Sequence, residues 1–228
     1  MTKAVVLLSG GIDSSTALFL AKSEGYELYA LSFDYEQRHI VELESAKRVA
    51  EHAGVKKHLI VKFNLRDIGG SALTANDIKV PKAVMPLNLI EQNIPITYVP
   101  ARNTIFLSFA LSWAEVLSAE DIFIGANIMD YSGYPDCRPV YLKAFELMAN
   151  LATKASAEGK MRFRIIAPLL YMTKGEIIEK GTELGLDYAL TWSCYDPQPE
   201  KTPCLRCSSC LIRQKGFIEA GVKDPLIV

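Results

Sequence analysis

The stretch AVVLLSGGIDSST, residues 4–16, decides how this chain is read. Five apolar residues, Ala4 to Leu8, stop at Ser9-Gly10-Gly11, and Asp13, Ser14 and Ser15 follow. An uninterrupted apolar run of this length reads as a strand buried on both faces. Glycines and hydroxyls at its end make either a tight turn or a cradle for an anion. If a helix begins just beyond, its unpaired backbone N–H groups and its dipole favour negative charge there. Gly10 and Gly11 let the backbone approach a ligand without a Cβ, and Ser9, Ser14 and Ser15 can donate to phosphate oxygens. Asp13 would be repelled by a bare phosphate. It reads as a helix N-cap or as a Mg²⁺ partner for a bound nucleotide. The stretch is not a Walker A loop, which ends in Gly-Lys-Ser/Thr, and it is not the dinucleotide GxGxxG.

Outward from this stretch, apolar runs alternate with helical patterns. Strands are expected at 3–8, 26–34, 58–64, 121–127 and 163–169. Helices are expected at 14–25, 39–54, 103–119, 139–156, 173–185 and 208–221. Thr173 with Glu176 three residues on is a capping-box pattern. Residues 65–100 hold Gly-Gly and four prolines without a clear period, and read as a long excursion, a candidate for contacts or a lid. The fold expected is α/β: an open, mostly parallel, doubly wound sheet. Its ligands bind at the carboxyl ends of the strands, where Ser9-Gly10-Gly11, Phe33-Asp34 and Gly125-Ala126-Asn127 fall.

The 228 residues suit one large domain with a small appendage. The division expected is 1–189, the nucleotide-binding α/β domain, and 190–228, a metal-binding tail packed on it. A net charge of −1 argues against a chain built to grip nucleic acid. No apolar run approaches the roughly 18–20 residues of a membrane span, and the first residues lack the pattern of a secretory signal. A cytoplasmic protein is expected.

Four of the five cysteines form Cys194-x9-Cys204-x2-Cys207-x2-Cys210. Four thiolates at this spacing suit tetrahedral Zn²⁺ as a structural ion, one per chain. An iron–sulfur cluster and a redox pair are the other readings. Cys137 stands apart and reads as a packing residue. His52 and His58 read as surface residues.

SGGxDS after a buried first strand resembles the loop of the N-type ATP pyrophosphatases, the PP-loop superfamily with the adenine nucleotide alpha hydrolase-like fold. Further fragments narrow the resemblance. SFDYEQRH (32–39), YVPARNTIFLSFALSWAE (98–115), GANIMDYSGYPDCRPVY (125–141), IAPLLYMTKGEI (166–177) and LTWSCY (190–195) with the cysteine cluster closely resemble the 7-cyano-7-deazaguanine (preQ0) synthase family of queuosine biosynthesis, over nearly the whole chain. One position departs: Glu36 stands where that family carries Gly, in DYGQRH.

The resemblance implies an ATP-dependent ligase forming C–N bonds. It would turn 7-carboxy-7-deazaguanine and ammonia into the nitrile through adenylated acid and amide intermediates. Residue 2 is Thr and 228 residues leave no room for a glutaminase domain, so ammonia is expected to enter as such. Ser9, Gly10, Gly11, Asp13, Ser14 and Ser15 would hold the pyrophosphate of ATP with Mg²⁺. Leu31, Phe33 and Gly125 would complete the nucleotide site. Arg102 and Lys174 are the catalytic candidates, neutralising charge on the α-phosphate and the leaving pyrophosphate. Gln37 and Arg38 would close over the substrate. Asp130 or Asp136 would read the deazaguanine edge, Tyr131 would stack on it, and Arg138 would pair with its carboxylate. Trp192 either stacks or packs. Cys194, Cys204, Cys207 and Cys210 would hold the zinc. A homodimer with no nucleic-acid or membrane partner is expected. Two other readings remain: a PP-loop tRNA thiolase, for which Cys137 would supply sulfur chemistry, and a non-catalytic, nucleotide-sensing zinc-ribbon module.

Overall fold

In the computed structural model, which describes residues 1–38, 40–75, 77–82, 94–129 and 134–227, the first strand β1 (Lys3–Leu7) is buried along both faces. Its period of two divides the molecule. Val5 and Leu7 enter one hydrophobic core, and Ala4 and Val6 enter the other. Four more strands join it: β2 (Glu27–Asp34), β3 (Lys57–Lys62), β4 (Asp121–Phe123) and β5 (Arg164–Ile166). All neighbours are parallel, in the order β3-β2-β1-β4-β5, with Val5 opposite Tyr29 on one side and Ile122 on the other.

Helices α1 (Ile12–Ser23) and α2 (Val41–Ala53) cover the Ala4 face, joined later in the chain by α6 (Lys174–Glu183) and α7 (Ser208–Glu219). Helices α3 (Arg102–Leu117) and α4 (Pro139–Ala152) cover the Val5 face through Leu107, Ala110, Leu142 and Phe145. The sheet is therefore doubly wound, as expected. The chain grows from β1 to β3 on one side, then crosses back to β4 on the other. The carboxyl ends of β1 and β4 form the switch point where such sheets open a crevice.

Three local departures have physical causes. The strand expected over 121–127 ends at Phe123. A Cβ on Gly125 would stand 2.7 Å from the Ser14 backbone nitrogen, so the chain leaves the ladder to pack on the start of α1. The helix expected over 139–156 breaks at Thr153, whose hydroxyl donates back to Ala149 O at 2.9 Å, and a single turn α5 (Lys154–Ala157) follows. His58, read as a surface residue, is half-buried with its Nε2 2.7 Å from Ser32 Oγ. The capping box is present: Glu176 N–H donates to Thr173 Oγ1 at 3.3 Å, and Thr173 N–H donates to Glu176 at 2.7 Å.

The described parts of the 65–100 excursion pack as irregular structure. Ala72 and Val80 are buried against the cysteine-rich tail, and Lys82 forms an isolated antiparallel bridge with Cys207. Among the described residues no helix is long and apolar enough to cross a membrane.

Candidate functional site

The first strand ends and α1 begins within five residues, so the loop between them is held by its own side chains. Ser14 Oγ accepts from Ser9 N–H at 3.1 Å and lies 2.9 Å from Ser9 Oγ. Gly10 has φ +83, and a Cβ there would lie 2.5 Å from Ala46 N and from Glu42 O of α2. Only glycine fits that contact. Gly10 O also accepts the Trp192 N–H at 2.8 Å, which ties the tail to the loop. Ser15 is fully buried, and its Oγ has no hydrogen-bond partner among the described residues.

The N-cap reading of Asp13 is corrected. Gly11 is the N-cap of α1 and no side chain caps it. Asp13 sits in the first turn, where the dipole favours its charge. It accepts from Lys174 Nζ at 2.6 Å. Lys174 opens α6 and is 7% exposed. Gly216 of α7 gives its stem room: a Cβ there would lie 2.3 Å from Lys174 Cγ.

This loop forms one wall of a cavity of about 280 Å³ at the switch point. Ser9, Gly11, Asp13 and Ser14 line it, together with Leu31, Phe33, Gly125, Arg102, Lys174 and Trp192. Both catalytic candidates thus face the same space as the glycine loop. Arg102 enters from the first residue of α3, after Ala101 in the left-handed conformation at φ 53. Burial opposes its charge, but Tyr35, Tyr134, Tyr195 and Asp136 around it outweigh that and raise its pKa. Burial likewise pushes the Tyr35 hydroxyl up, so it stands by the guanidinium as a neutral phenol. Phe33 stacks on Phe106 at 4.0 Å between ring centres, and both line the cavity as a flat apolar wall.

Other expected residues lie elsewhere. Gln37 is buried and braces the end of β2: its amide donates to Phe33 O at 3.1 Å and Glu42 at 2.9 Å, and its Oε1 accepts from Tyr35 N–H at 2.9 Å. Arg38 donates to Ala75 O at 2.9 Å and Ile78 O at 3.2 Å, and so fastens the excursion. Asp136 turns inward and accepts the Asn103 N–H at 3.0 Å, serving the start of α3. Arg138 is exposed at the N-terminus of α4 and does not line the cavity. Asp130 and Tyr131 lie outside the described residues. Trp192 packs on the cysteines, its indole N–H donates to Cys194 O at 2.9 Å, and it also lines the cavity.

Sequence reasoning missed Tyr35 and Tyr195 as cavity residues, whereas Asn127 lines the cavity from a strand end already expected to meet ligand. Tyr35 and Tyr195 lie inside fragments quoted for the resemblance, so the signal was proximity to named residues. Cys137 also lines the cavity, but burial pushes its thiol up to about 11, and Asn103 Nδ2 lies 3.3 Å from its sulfur. A thiol so placed is protonated at neutral pH and a poor nucleophile.

The four tail cysteines are buried, and their Sγ atoms all lie within 4.8 Å of one another. Backbone N–H groups of Cys204 and Asp196 donate to Cys194 Sγ at 3.2 and 3.4 Å, and that of Cys207 donates to Cys204 Sγ at 3.3 Å. Hydrogen bonds from Cys194 and Cys210 hold Cys207 well below the usual thiol range. Lys82 pairs with Asp196 beside the cluster. Four convergent sulfurs with amide donors are a donor set fit for a metal ion.

A family described as queuosine biosynthesis protein QueC matches residues 3–221. The 7-cyano-7-deazaguanine synthase of Geobacter metallireducens is 63% identical over 224 residues, covering 98% of this chain and 92% of that protein. The enzyme of the same name from Syntrophobacter fumaroxidans is 61% identical over 223 residues, covering 98% and 94%. Among solved structures, NMN synthetase from Francisella tularensis has a TM-score of 0.50 at 14% identity, covering 97% of this chain and 87% of that one, a likeness of fold alone.

Proposed function

The chain belongs to the QueC family and has that family's 7-cyano-7-deazaguanine synthase activity, and we propose that it works by adenylating one substrate twice in the cavity at the β1/β4 switch point. The observation that carries this is the convergence of the glycine loop, Arg102 and Lys174 on one space.

A carboxylate is a poor electrophile because its oxygen is a poor leaving group. In the first step the carboxylate oxygen of 7-carboxy-7-deazaguanine attacks the α-phosphorus of ATP and pyrophosphate leaves. Ammonia then attacks the acyl carbon, AMP leaves, and a proton lost to solvent gives the amide. The amide oxygen attacks the α-phosphorus of a second ATP and pyrophosphate leaves again. Loss of AMP and the remaining N–H protons leaves the nitrile. Both adenylations build charge on the same phosphates, so one site serves both.

Ser9, Gly10, Gly11, Ser14 and Ser15 would receive the pyrophosphate, and Phe33 with Leu31 would face the adenine. Lys174 would exchange its bond to Asp13 for the phosphates, which frees Asp13 for Mg²⁺. Arg102 would meet the α-phosphate. Fixed positive charge aimed at developing negative charge is a large catalytic contribution. Asp130 is preferred over Asp136 for the deazaguanine edge, because Asp136 serves α3. Tyr131 would stack on the deazaguanine, and Arg138, exposed off the cavity, would keep to the start of α4. Gln37 and Arg38 would shape the rim through the segments they brace. Zinc is the metal preferred for the four cysteines: at about 2.3 Å per Zn–S bond, sulfurs this close enclose one ion rather than an iron–sulfur cluster. The ion supplies the tail with cross-links. The protein would act as a cytoplasmic homodimer.

The protonated Cys137 disfavours the tRNA-thiolase reading. Incubation with 7-carboxy-7-deazaguanine, ammonia and Mg-ATP tests the proposal by mass spectrometry. The nitrile is expected, with two AMP formed per nitrile. AMP formation that requires tRNA and ignores the acid would overturn it. A product that stops at the amide would remove the second adenylation.

A further inference from the structure

Tyr195 occupies a position that the synthase reaction as described does not use. It follows the metal-site residue Cys194 directly, and its backbone N–H donates to Cys207 Sγ. Two sulfurs of the cluster thus fix its backbone, one through the chain and one through a hydrogen bond. Its half-buried side chain packs against both the cysteine cluster and the main core under α3. It also lines the catalytic cavity with Arg102, hydrogen-bonds with Tyr134 and acts on the Arg102 guanidinium through its field. Tyr134 is itself joined to Thr97, 3.0 Å between hydroxyls, and Tyr35 bonds Arg102 from the residue after β2. Arg102 is thus bonded by Tyr35 and shares the cavity wall with Tyr134 and Tyr195, the three phenols coming from different segments. The backbone of the third is set by the cysteines.

We infer that Tyr195 is a positioning residue through which the four-cysteine site sets the orientation of Arg102 in the catalytic cavity. The metal site then does more than fold the tail. A charge aimed at the α-phosphate must be held to a fraction of an ångström, and Arg102 alone, on the first residue of a helix after a left-handed Ala101, is not so held. A rigid aromatic ring packed between the two sites fixes direction by its bulk and its hydroxyl bond. The inference rests on the reading of Arg102 as the α-phosphate charge, but its physical content, coupling from cysteines to the start of α3, does not depend on the reaction.

Two measurements test it, and they fail separately. Hydrogen exchange is followed at 99–106 in metal-loaded protein, in chelator-treated protein and in metal-loaded Tyr195→Ala. Chelation is expected to raise exchange at the start of α3 as well as in the tail. Tyr195→Ala, with metal content verified by a chromogenic chelator, is expected to raise it at the start of α3 alone. Unchanged exchange there in the loaded variant overturns the inference, whatever the enzyme's substrate proves to be. In nitrile formation, Tyr195→Ala is expected to lower kcat about 10-fold or more, with KM for the acid changed far less, as misplacement of a transition-state charge does. Tyr195→Phe, which keeps the ring and loses the hydroxyl, should fall between wild type and Tyr195→Ala. Equal kcat in all three proteins overturns the inference. A wild type that makes no nitrile overturns the functional reading and leaves the exchange experiment to decide this one.

Discussion

Glu36 shows what one residue can carry. Its φ is 61, the left-handed region in which glycine is at ease and a side chain is strained. It is exposed, its N–H approaches Asp34 Oδ1 at 3.4 Å, and Arg66 donates to its carbonyl. The turn is needed to carry the chain from the end of β2, where Gln37 folds back on Phe33 O. The backbone thus keeps the shape that a glycine at this position would take, and Glu36 bears the strain. Left-handed backbone costs an L-residue about 1–2 kcal/mol, and glycine's extra freedom when unfolded returns about 0.4–1 kcal/mol of that. Glu36→Gly should therefore stabilise the protein by something under about 1 kcal/mol. A higher urea midpoint at unchanged slope checks it, and a lower midpoint counts against the strain. Asp13 teaches the converse. Its residue type fitted a cap, but Gly11 already takes that place, and the acid's partner comes from 161 residues away.

At the scale of elements, Lys174 owes its place to the contact between α6 and α7. Gly175 lets Glu219 approach, and Gly216 leaves a channel for the Lys174 stem. Gly216→Ala would gain about 1 kcal/mol in helix propensity. It would also put a methyl against Lys174 Cβ and Cγ and Ile178 Cδ1, an overpacking of about 1–3 kcal/mol. The expected outcome is a stability loss of up to about 2 kcal/mol together with about a 10-fold or greater fall in kcat, because the ammonium is pushed off its line to the phosphates. Steady-state kinetics beside a melting curve separates the two effects, and unchanged kcat would show that Lys174 adapts. The elements themselves were legible. Among the described residues, the five strands and six long helices follow from apolar period and from stops such as Gly54, which takes φ 73 at the end of α2. What was not legible is where elements end when a tertiary contact ends them, as Gly125 does for β4.

Across the whole molecule, the tail and the excursion hold each other. Lys82 pairs with Asp196 and bridges to Cys207, Ala72 and Val80 pack on the cysteines, and Trp192 hydrogen-bonds to Gly10. Removing the metal should loosen both together, since the ion's binding energy is folding energy for the segments that supply its ligands. Chelator-treated protein is expected to be cut by protease within 77–82 and 196–203 while the sheet stays protected. Cleavage confined to 196–203 would show that the excursion stands alone. The sequence by itself determined the alternation of elements, the glycine-and-hydroxyl loop at the end of β1, the family and the four-sulfur donor set. Those rest on local period, on glycines and on short spacings, which neighbours along the chain decide. Only the tertiary structure decided that Asp13 pairs with Lys174, that Asp136 and Gln37 brace the fold, and that Tyr195 joins the cysteine cluster to the cavity that holds Arg102. Those are contacts between distant segments, and which polar side chain meets a ligand and which meets its own fold depends on the packing of the sheet's two faces.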